Sequence, residues 1–341
     1  MDYFYAQVEE LRNPQYSGRV FAVCVYSGRT EDSGVVGSVN YLGRKYGIKA
    51  GMPIISAKKL APSDAVFLPM DRDYYELISS TIDQIIRSNL YRVVQSSIDE
   101  WNAQDDLAAR KAAQIKSLIK TETGLVCTIG VAPSILGAKM TASLSKPNGL
   151  KIIDEKEEFE LISSSAVLDV PGIGQKTSDV LSKLGVAKVS DLTKADPIQL
   201  VECFGKKTSH WLLCLGRGDY PKELGEEKEQ LGISRIGTLK EKTRDIEQLM
   251  SKLSDLDSGA KEWLMNSKKA YRTLSIIFIT EDMKTHTKSE SFKNPKNWQS
   301  STKDESIKLI KEFLSENSLE IRRIGIRFGN FVDLGGQTTL F

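Results

Sequence analysis

The pair Asp99-Glu100, closing the run Ser97-Ile98-Asp99-Glu100, is the strongest candidate for chemistry in this chain of 341 residues. Two adjacent carboxylates repel unless solvent or a cation screens them. Successive strand residues point to opposite faces, so both reach one ion only from a turn or strand end. His210 and His286 are the only histidines. A metal here would be held by hard oxygen donors, which suits Mg²⁺ and leaves positions for phosphate oxygens. A solvated strand end is the plainer reading of the same pair. Pro171-Gly172-Ile173-Gly174 is a second candidate. Its glycines allow a tight turn and present backbone N–H groups at a helix N-terminus, a site for phosphate rather than for a base. Otherwise it is an interhelical turn. Phe204-Gly205-Lys206-Lys207 is a weaker contact of the same kind.

Asn40-Tyr41-Leu42-Gly43-Arg44-Lys45, near Ser38, gathers hydroxyls and cations within one or two helical turns. Tyr41 and Arg44 are three apart and share a face, which suits a triphosphate or a solvated basic helix. Lys146-Pro147-Asn148-Gly149 is a turn carrying a cation. In Arg322-Arg323-Ile324-Gly325-Ile326-Arg327, even spacing puts Arg323, Gly325 and Arg327 on one side of a strand and Ile324 and Ile326 on the other. Such a row of cations suits a nucleic-acid backbone. The terminus Gln337-Thr338-Thr339-Leu340-Phe341 is similar to part of a sliding-clamp-binding peptide, or is a frayed tail.

The elements that must hold these residues fall into three textures, with no internal repeat. Residues 1–155 mix helices and strands: Arg19–Tyr26, Tyr91–Ile98 and Leu125–Val131 read as strands and Asp106–Ile119 as a helix. Residues 156–226 read as all helical, with a helix Gln175–Leu184 stopped by Gly185. Residues 225–230 read as a charged linker. Beyond it come strand Ile233–Leu239, helix Thr243–Leu253 with a short continuation, and strands Tyr271–Thr280 and Met283–Phe292. Helix Thr302–Leu314, with Thr302-x-x-Glu305 as a capping box, and strand Leu319–Phe328 complete the order βαββαβ of a ferredoxin-like domain.

Composition is that of an ordinary folded chain, 40% apolar and 27% charged, with length for two or three domains. No apolar run is long enough to span a membrane. The start MDYFYAQVEE has neither the basic nor the apolar region of a signal peptide. Cys24, Cys127, Cys203 and Cys214 sit in apolar runs without C-x-x-C, and so read as core thiols of a reducing compartment. The net charge of +2 hides an asymmetry. Residues 231–341 hold 19 Lys/Arg against 15 Asp/Glu, and the rest 28 against 30.

The order of these motifs is more specific than any one of them. Asp2-Tyr3-Phe4-Tyr5-Ala6-Gln7-Val8-Glu9-Glu10, Tyr26-Ser27-Gly28-Arg29, Asn40-Tyr41-x-x-Arg44, Lys49-Ala50-Gly51-Met52-Pro53 and Ser97-Ile98-Asp99-Glu100 come first. Lys146-Pro147-Asn148-Gly149, Val170-Pro171-Gly172-Ile173-Gly174 and Arg322-Arg323-Ile324-Gly325 follow. Over nearly its whole length the chain resembles a Y-family translesion DNA polymerase of the archaeal DNA polymerase IV type. The resemblance implies an α+β multidomain right hand. Palm and fingers would span 1–155 (fingers about 12–70) and a helix-hairpin-helix thumb 156–224. A linker would follow at 225–232, a ferredoxin-like (βαββαβ) little finger at 233–332, and a tail with a partial clamp motif at 333–341. It also implies low-fidelity DNA-directed synthesis past damaged bases by nucleotidyl transfer with two Mg²⁺ ions.

Asp99 and Glu100 match the family's catalytic, metal-binding carboxylates, and Tyr5 its steric gate against ribonucleotides. Tyr5, Ser38, Tyr41, Arg44 and Lys146 match its nucleotide contacts. Gly37 and Arg29 match the walls of the nascent base pair, where Gly37 leaves room for a damaged base. Gly172, Gly174, Lys206, Arg235, Arg322, Arg323 and Arg327 match its DNA contacts, and Gln337, Leu340 and Phe341 its clamp peptide. The implied partners are primer-template DNA, deoxynucleoside triphosphates and a sliding clamp, for a cytoplasmic monomer without membrane contact.

The sequence departs from the family in three places. The family's first motif is two aspartates one residue apart, after a short apolar strand. Asp2 matches the second of them, which is not the main ligand, so Met1 is expected to be an internal methionine taken as the start. After Glu100 the family continues with a further strand. Here Trp101–Asp106 is expected to run directly into the helix, leaving the palm two strands short, with exposed edges. The palm is then short of metal ligands unless Asp2 or Asp105 approaches. The clamp peptide is truncated. The alternative reading is therefore a catalytically impaired DNA- and clamp-binding relative. A helix-hairpin-helix nuclease or ligase module leaves the first 155 residues unexplained.

Overall fold

Helix α1 (Phe4–Arg12) opens the chain and buries Phe4 and Val8 on one face and Ala6 on the other. The computed structural model describes residues 1–226 and 229–334, so Gln337, Leu340 and Phe341 lie outside the described residues. Strands β1 (Phe21–Tyr26), β2 (Gly34–Val39) and β3 (Val66–Pro69) form a sheet ordered β2-β1-β3, with β1 and β3 parallel. Helices α2 (Tyr41–Lys45) and α3 (Ile54–Leu60) lie between its strands in the chain. Then come α4 (Arg72–Asn89), β4 (Arg92–Ser97), β5 (Glu100–Gln104), α5 (Ala108–Thr123), β6 (Ile129–Val131), α6 (Ile135–Ser145) and β7 (Leu150–Ile152).

Among the described residues, the antiparallel hairpin β4–β5 and the parallel pair β6–β7 are separate two-stranded sheets. Two expectations for this region differ from the structure. Trp101–Gln104 do not run into the helix; they belong to β5 and pair with β4. Trp101 packs on the apolar core and its indole N–H donates to Asp83 at 3.0 Å. Asp105 then turns the chain by accepting from the Leu107 amide at 2.7 Å. The expected strand Leu125–Val131 is a ladder strand only at β6. The Gln7 carboxamide donates to the Val126 carbonyl at 3.1 Å and accepts from its N–H, so a side chain stands where a ladder partner would.

Helices α7 (Glu155–Ser164), α8 (Gln175–Lys183) and α9 (Pro197–Arg217), with 3₁₀ turns Val167–Asp169 and Val189–Lys194, form the expected all-helical stretch. A capping box of Asp154 and Glu157 opens α7. Helix α9 is broken at Gly205, whose φ of 73° and ψ of 165° are not helical. Glu158, 3% exposed, reaches from α7 to α6 and accepts from the N–H and hydroxyl of Ser134 at 2.9 and 2.7 Å. A Cβ at Gly137 would lie 1.9 Å from that carboxylate, so only glycine fits there.

Strands β8 (Gly232–Thr243), β9 (Lys269–Thr280), β10 (Thr285–Lys296) and β11 (Ile321–Asp333) form a sheet ordered β10-β9-β11-β8, every neighbouring pair antiparallel. Helix α10 (Ile246–Asn266) links β8 to β9, and α11 (Lys303–Glu316) links β10 to β11. This is the expected βαββαβ order, with α10 one unbroken helix rather than a helix and a continuation. The expected capping box at Thr302 is absent: its side chain makes no cap bond, and Glu305 pairs with Lys296 instead. Leu274, Ile276, Phe278, Ile324, Ile326 and Phe328 pack one sheet face onto both helices. The register shifts between Ile321 and Arg323, so Arg322 sits in a bulge.

The chain divides into two compact units. One comprises Met1–Cys24, Val36–Met52 and the chain from Ala57 up to the linker. The other comprises Val25–Val35, Pro53–Ser56 and the chain beyond the linker. No helix among the described residues is long and apolar enough to cross a membrane.

Candidate active site

Asp99 sits in the tight turn between β4 and β5, with Glu100 paired to Ser97 across the hairpin. This is the strand-end geometry that lets neighbouring carboxylates face one space. Both line a cavity of about 540 Å³ together with Met1, Trp101, Lys139 and Lys146. Asp99 accepts from the Ser97 hydroxyl at 2.9 Å, and its carbonyl accepts from the Met1 α-amino group. Glu100 is paired with Lys139 at 2.6 Å. Sequence reasoning missed Lys139. Its signal is the spacing of seven from Lys146, which caps the C-terminus of α6 two turns beyond Lys139; both cations line the cavity.

Tyr5, on α1, has its ring centroid 4.9 Å from that of Tyr75. Burial, and then the charge of Asp99, push the Tyr5 hydroxyl pKa up, so the phenol is neutral at physiological pH. Ser38, on β2, is committed to packing: it donates to the Tyr3 carbonyl at 3.1 Å and accepts from the Ala6 amide at 3.4 Å. Asn40 caps α2 by accepting from the Gly43 amide at 3.0 Å, and donates to Glu10 and the Arg19 carbonyl. Tyr41, the first residue of that helix, packs edge-on against Tyr3 at 5.1 Å, with the Arg44 guanidinium 4.6 Å over its ring. The Tyr41 hydroxyl is buried without a hydrogen-bond partner among the described residues. Gly37 is half-buried on β2. Arg29 belongs to the other compact unit, where its Nε donates to the Lys240 carbonyl at 3.2 Å.

Neither of the two spare aspartates completes a metal site. Asp2 is fully buried and accepts from Thr128 and the Asn148 amide. Asp105 is paired with Lys111 at 2.9 Å. Among the described residues no three His, Cys, Asp or Glu side chains converge. Asp99 and Glu100 share the cavity with Asp105 and Asp106, but no three of these carboxylates converge, and Glu100 is paired with Lys139, so the donors present do not fit the two Mg²⁺ ions that the resemblance implies.

Two glycine hairpins stand in the helical stretch. Gly172 has a φ of 99° and Gly174 is the N-cap of α8, with open space where a Cβ would be. Gly205 breaks α9, so Lys206 begins a second helical segment. Both expose backbone amides at a helix start.

On the four-stranded sheet, Arg323 and Arg327 lie on the face opposite the helices, beside Thr238 and Ser234 of β8 and Ile279 and Ser275 of β9. Ser289 of β10 donates to Ser275 at 2.8 Å, extending a hydroxyl row across that face. Gly325 is required between the arginines, because a Cβ would meet Ile236 at 2.6 Å and the Arg235 carbonyl at 2.8 Å. Arg235 is not part of this face. It pairs with the core-facing Ile326, and its Nε lies 4.0 Å from where a Cβ would stand on Gly259 of α10. The alternation of β8 therefore sends it to the helix side.

Comparison with known proteins matches the impB/mucB/samB family over residues 1–143 and that family's C-terminal domain over residues 230–340. The DNA polymerase-iota thumb domain matches residues 168–219. DNA polymerase IV of Methanosarcina acetivorans is 36% identical over 357 residues, covering 100% of this chain and 97% of the relative. DNA polymerase IV of Saccharolobus solfataricus is 34% identical over 347 residues, with the same coverage. Among solved structures, a Y-family DNA polymerase chimera of Dbh and Dpo4 superposes with a TM-score of 0.91 at 33% identity. An insertion ternary complex of Dbh DNA polymerase gives 0.70 at 33%; each comparison covers 97% of both chains.

Proposed function

The chain belongs to the impB/mucB/samB family of Y-family DNA polymerases, and on that premise we propose that it extends a primer across damaged template bases. Polymerases of this family use divalent metal ions. The observation that carries the reading is the cavity in which the Asp99-Glu100 turn faces Lys139 and Lys146. A developing negative charge at a phosphoryl group there meets fixed cations, and carboxylates stand where a hydroxyl must lose a proton. Tyr5 closes on the sugar, and Tyr41, Arg44 and Lys146 take the triphosphate. Residues 1–155 act as palm and fingers, 156–224 as thumb and 233–332 as little finger. The hairpins at Gly172-Gly174 and Gly205-Lys206, and the face of Arg323 and Arg327, hold template and primer by their backbones.

The donor set falls short of a two-ion site. That shortfall also favours a second reading, a DNA-binding relative without synthesis. Primer extension by the purified chain, on intact and abasic templates with Mg²⁺ or Mn²⁺, decides between them. Extension past the lesion is the expected result. Tight primer-template binding with no added nucleotide would overturn polymerase activity and leave the binding role.

A further inference from the structure

Asp2 is a carboxylate with no solvent exposure and no basic side chain bonded to it. Such a group persists only where hydrogen bonds replace water. Both its oxygens are 2.9 Å from the Thr128 hydroxyl, and one accepts from the Asn148 amide at 2.6 Å. Thr128 in turn accepts from the Gly149 amide at 3.2 Å, and the Gly149 carbonyl accepts from the Ile129 amide at 3.1 Å. Lys116 bonds the Asn148 side chain from outside. The turn Lys146-Pro147-Asn148-Gly149 is thus held at two consecutive amides, both traced to one carboxylate 146 residues away from Asn148. Gln7 fixes the other end by donating to the Asp2 carbonyl at 2.7 Å.

We infer that Asp2 is a positioning residue: through Thr128 and the Asn148 amide it sets where Lys146 stands on the wall of the Asp99–Glu100 cavity, and it is not a metal ligand. This rests on the proposed polymerase reading, in which Lys146 meets the incoming triphosphate. Its charge faces inward onto donors, so it is spent before any cation could use it.

The test compares Asp2→Asn, Thr128→Val, Thr128→Ser, Lys146→Ala and Asp2→Asn/Lys146→Ala in steady-state primer extension. Asp2→Asn is expected to raise the KM for deoxynucleotide about tenfold, with kcat changed less than about threefold, as for a partner that orients a functional group. Thr128→Val should reproduce that effect and Thr128→Ser should restore it. The double variant should be no worse than Lys146→Ala alone. A loss in kcat at unchanged KM, with a shifted Mg²⁺ requirement, would make Asp2 a metal ligand and overturn the inference; so would additive losses in the double variant. If wild type binds DNA and triphosphate without extending, the polymerase reading fails. Equilibrium titration of triphosphate onto the DNA complex then decides Asp2, with about tenfold weaker binding in Asp2→Asn expected and equal binding overturning its role. A wild type that does neither overturns both. Should Asp2→Asn fail to fold, the Thr128 pair carries the comparison alone.

Discussion

The four-stranded sheet β8–β11 and the split palm β4–β5 and β6–β7 both hold charged groups at set positions, by different means. In the first, the ladder itself is the ruler. Register places Arg323 and Arg327 two pleats apart, with Ser and Thr on the neighbouring strands. In the second, side chains clasp distant backbone. Gln7 reaches Val126 and Asp2 reaches Asn148. A surface made by a ladder loses function one residue at a time. A site made by buried side-chain bonds loses it in one step, because each bond lacks a neighbour to replace it.

The largest expected effect lies in the palm. Glu100→Gln or Asp99→Asn should lower single-turnover primer extension by about 10³-fold while primer-template affinity stays within about twofold of wild type. Near-normal rates would remove the hairpin turn from the chemistry. Next is Tyr5→Ala, which should relax discrimination against ribonucleotides by at least about tenfold, read as the ratio of kcat/KM for the two sugars. An unchanged ratio would leave Tyr5 as core packing only.

The sheet should respond more mildly and in a graded way. Gly325→Ala forces Ile236 and the Arg235 carbonyl apart and should cost about 1–3 kcal/mol of stability, measured by denaturant unfolding. Pairing it with Ile236→Ala should recover only part, because the carbonyl cannot move away. The smallest and sharpest contrast is between arginines. Arg323→Ala or Arg327→Ala should weaken binding of all DNA sequences and reduce the salt slope by about 1. Arg235→Ala should leave that slope alone, since it lies on the helix side. A drop of equal size from Arg235 would erase the distinction between the two faces.

These differences also decide what could be read from sequence. The elements of the sheet domain were legible because period 2 and period 3.6 are local signals: strands and helices fall where alternation and apolar spacing predicted them. Arg235 groups with the other arginines by charge, while its parity on β8 sends it to the helices. The capping box at Thr302 failed for a tertiary reason, since Lys296 from β10 takes the glutamate. The box at Asp154 and Glu157 does form, because both partners lie within one turn of α7. In the palm, Asp99, Glu100 and Lys146 were found from motifs, and the cavity brings them together. The Asp2–Thr128–Asn148 chain of bonds escaped because nothing local in a sequence marks partners 126 and 146 positions apart.

The Glu158 clasp bears on movement. A carboxylate from α7 is seated in the opening turn of α6, where a glycine leaves room to admit it. Pulling α7 away from α6 there would break both bonds and leave the buried Ser134 amide and hydroxyl without their acceptor, which is costly unless water replaces it. Helices α6 and α7 are therefore held as one piece, and under the proposed activity any step along a template has to leave this joint intact.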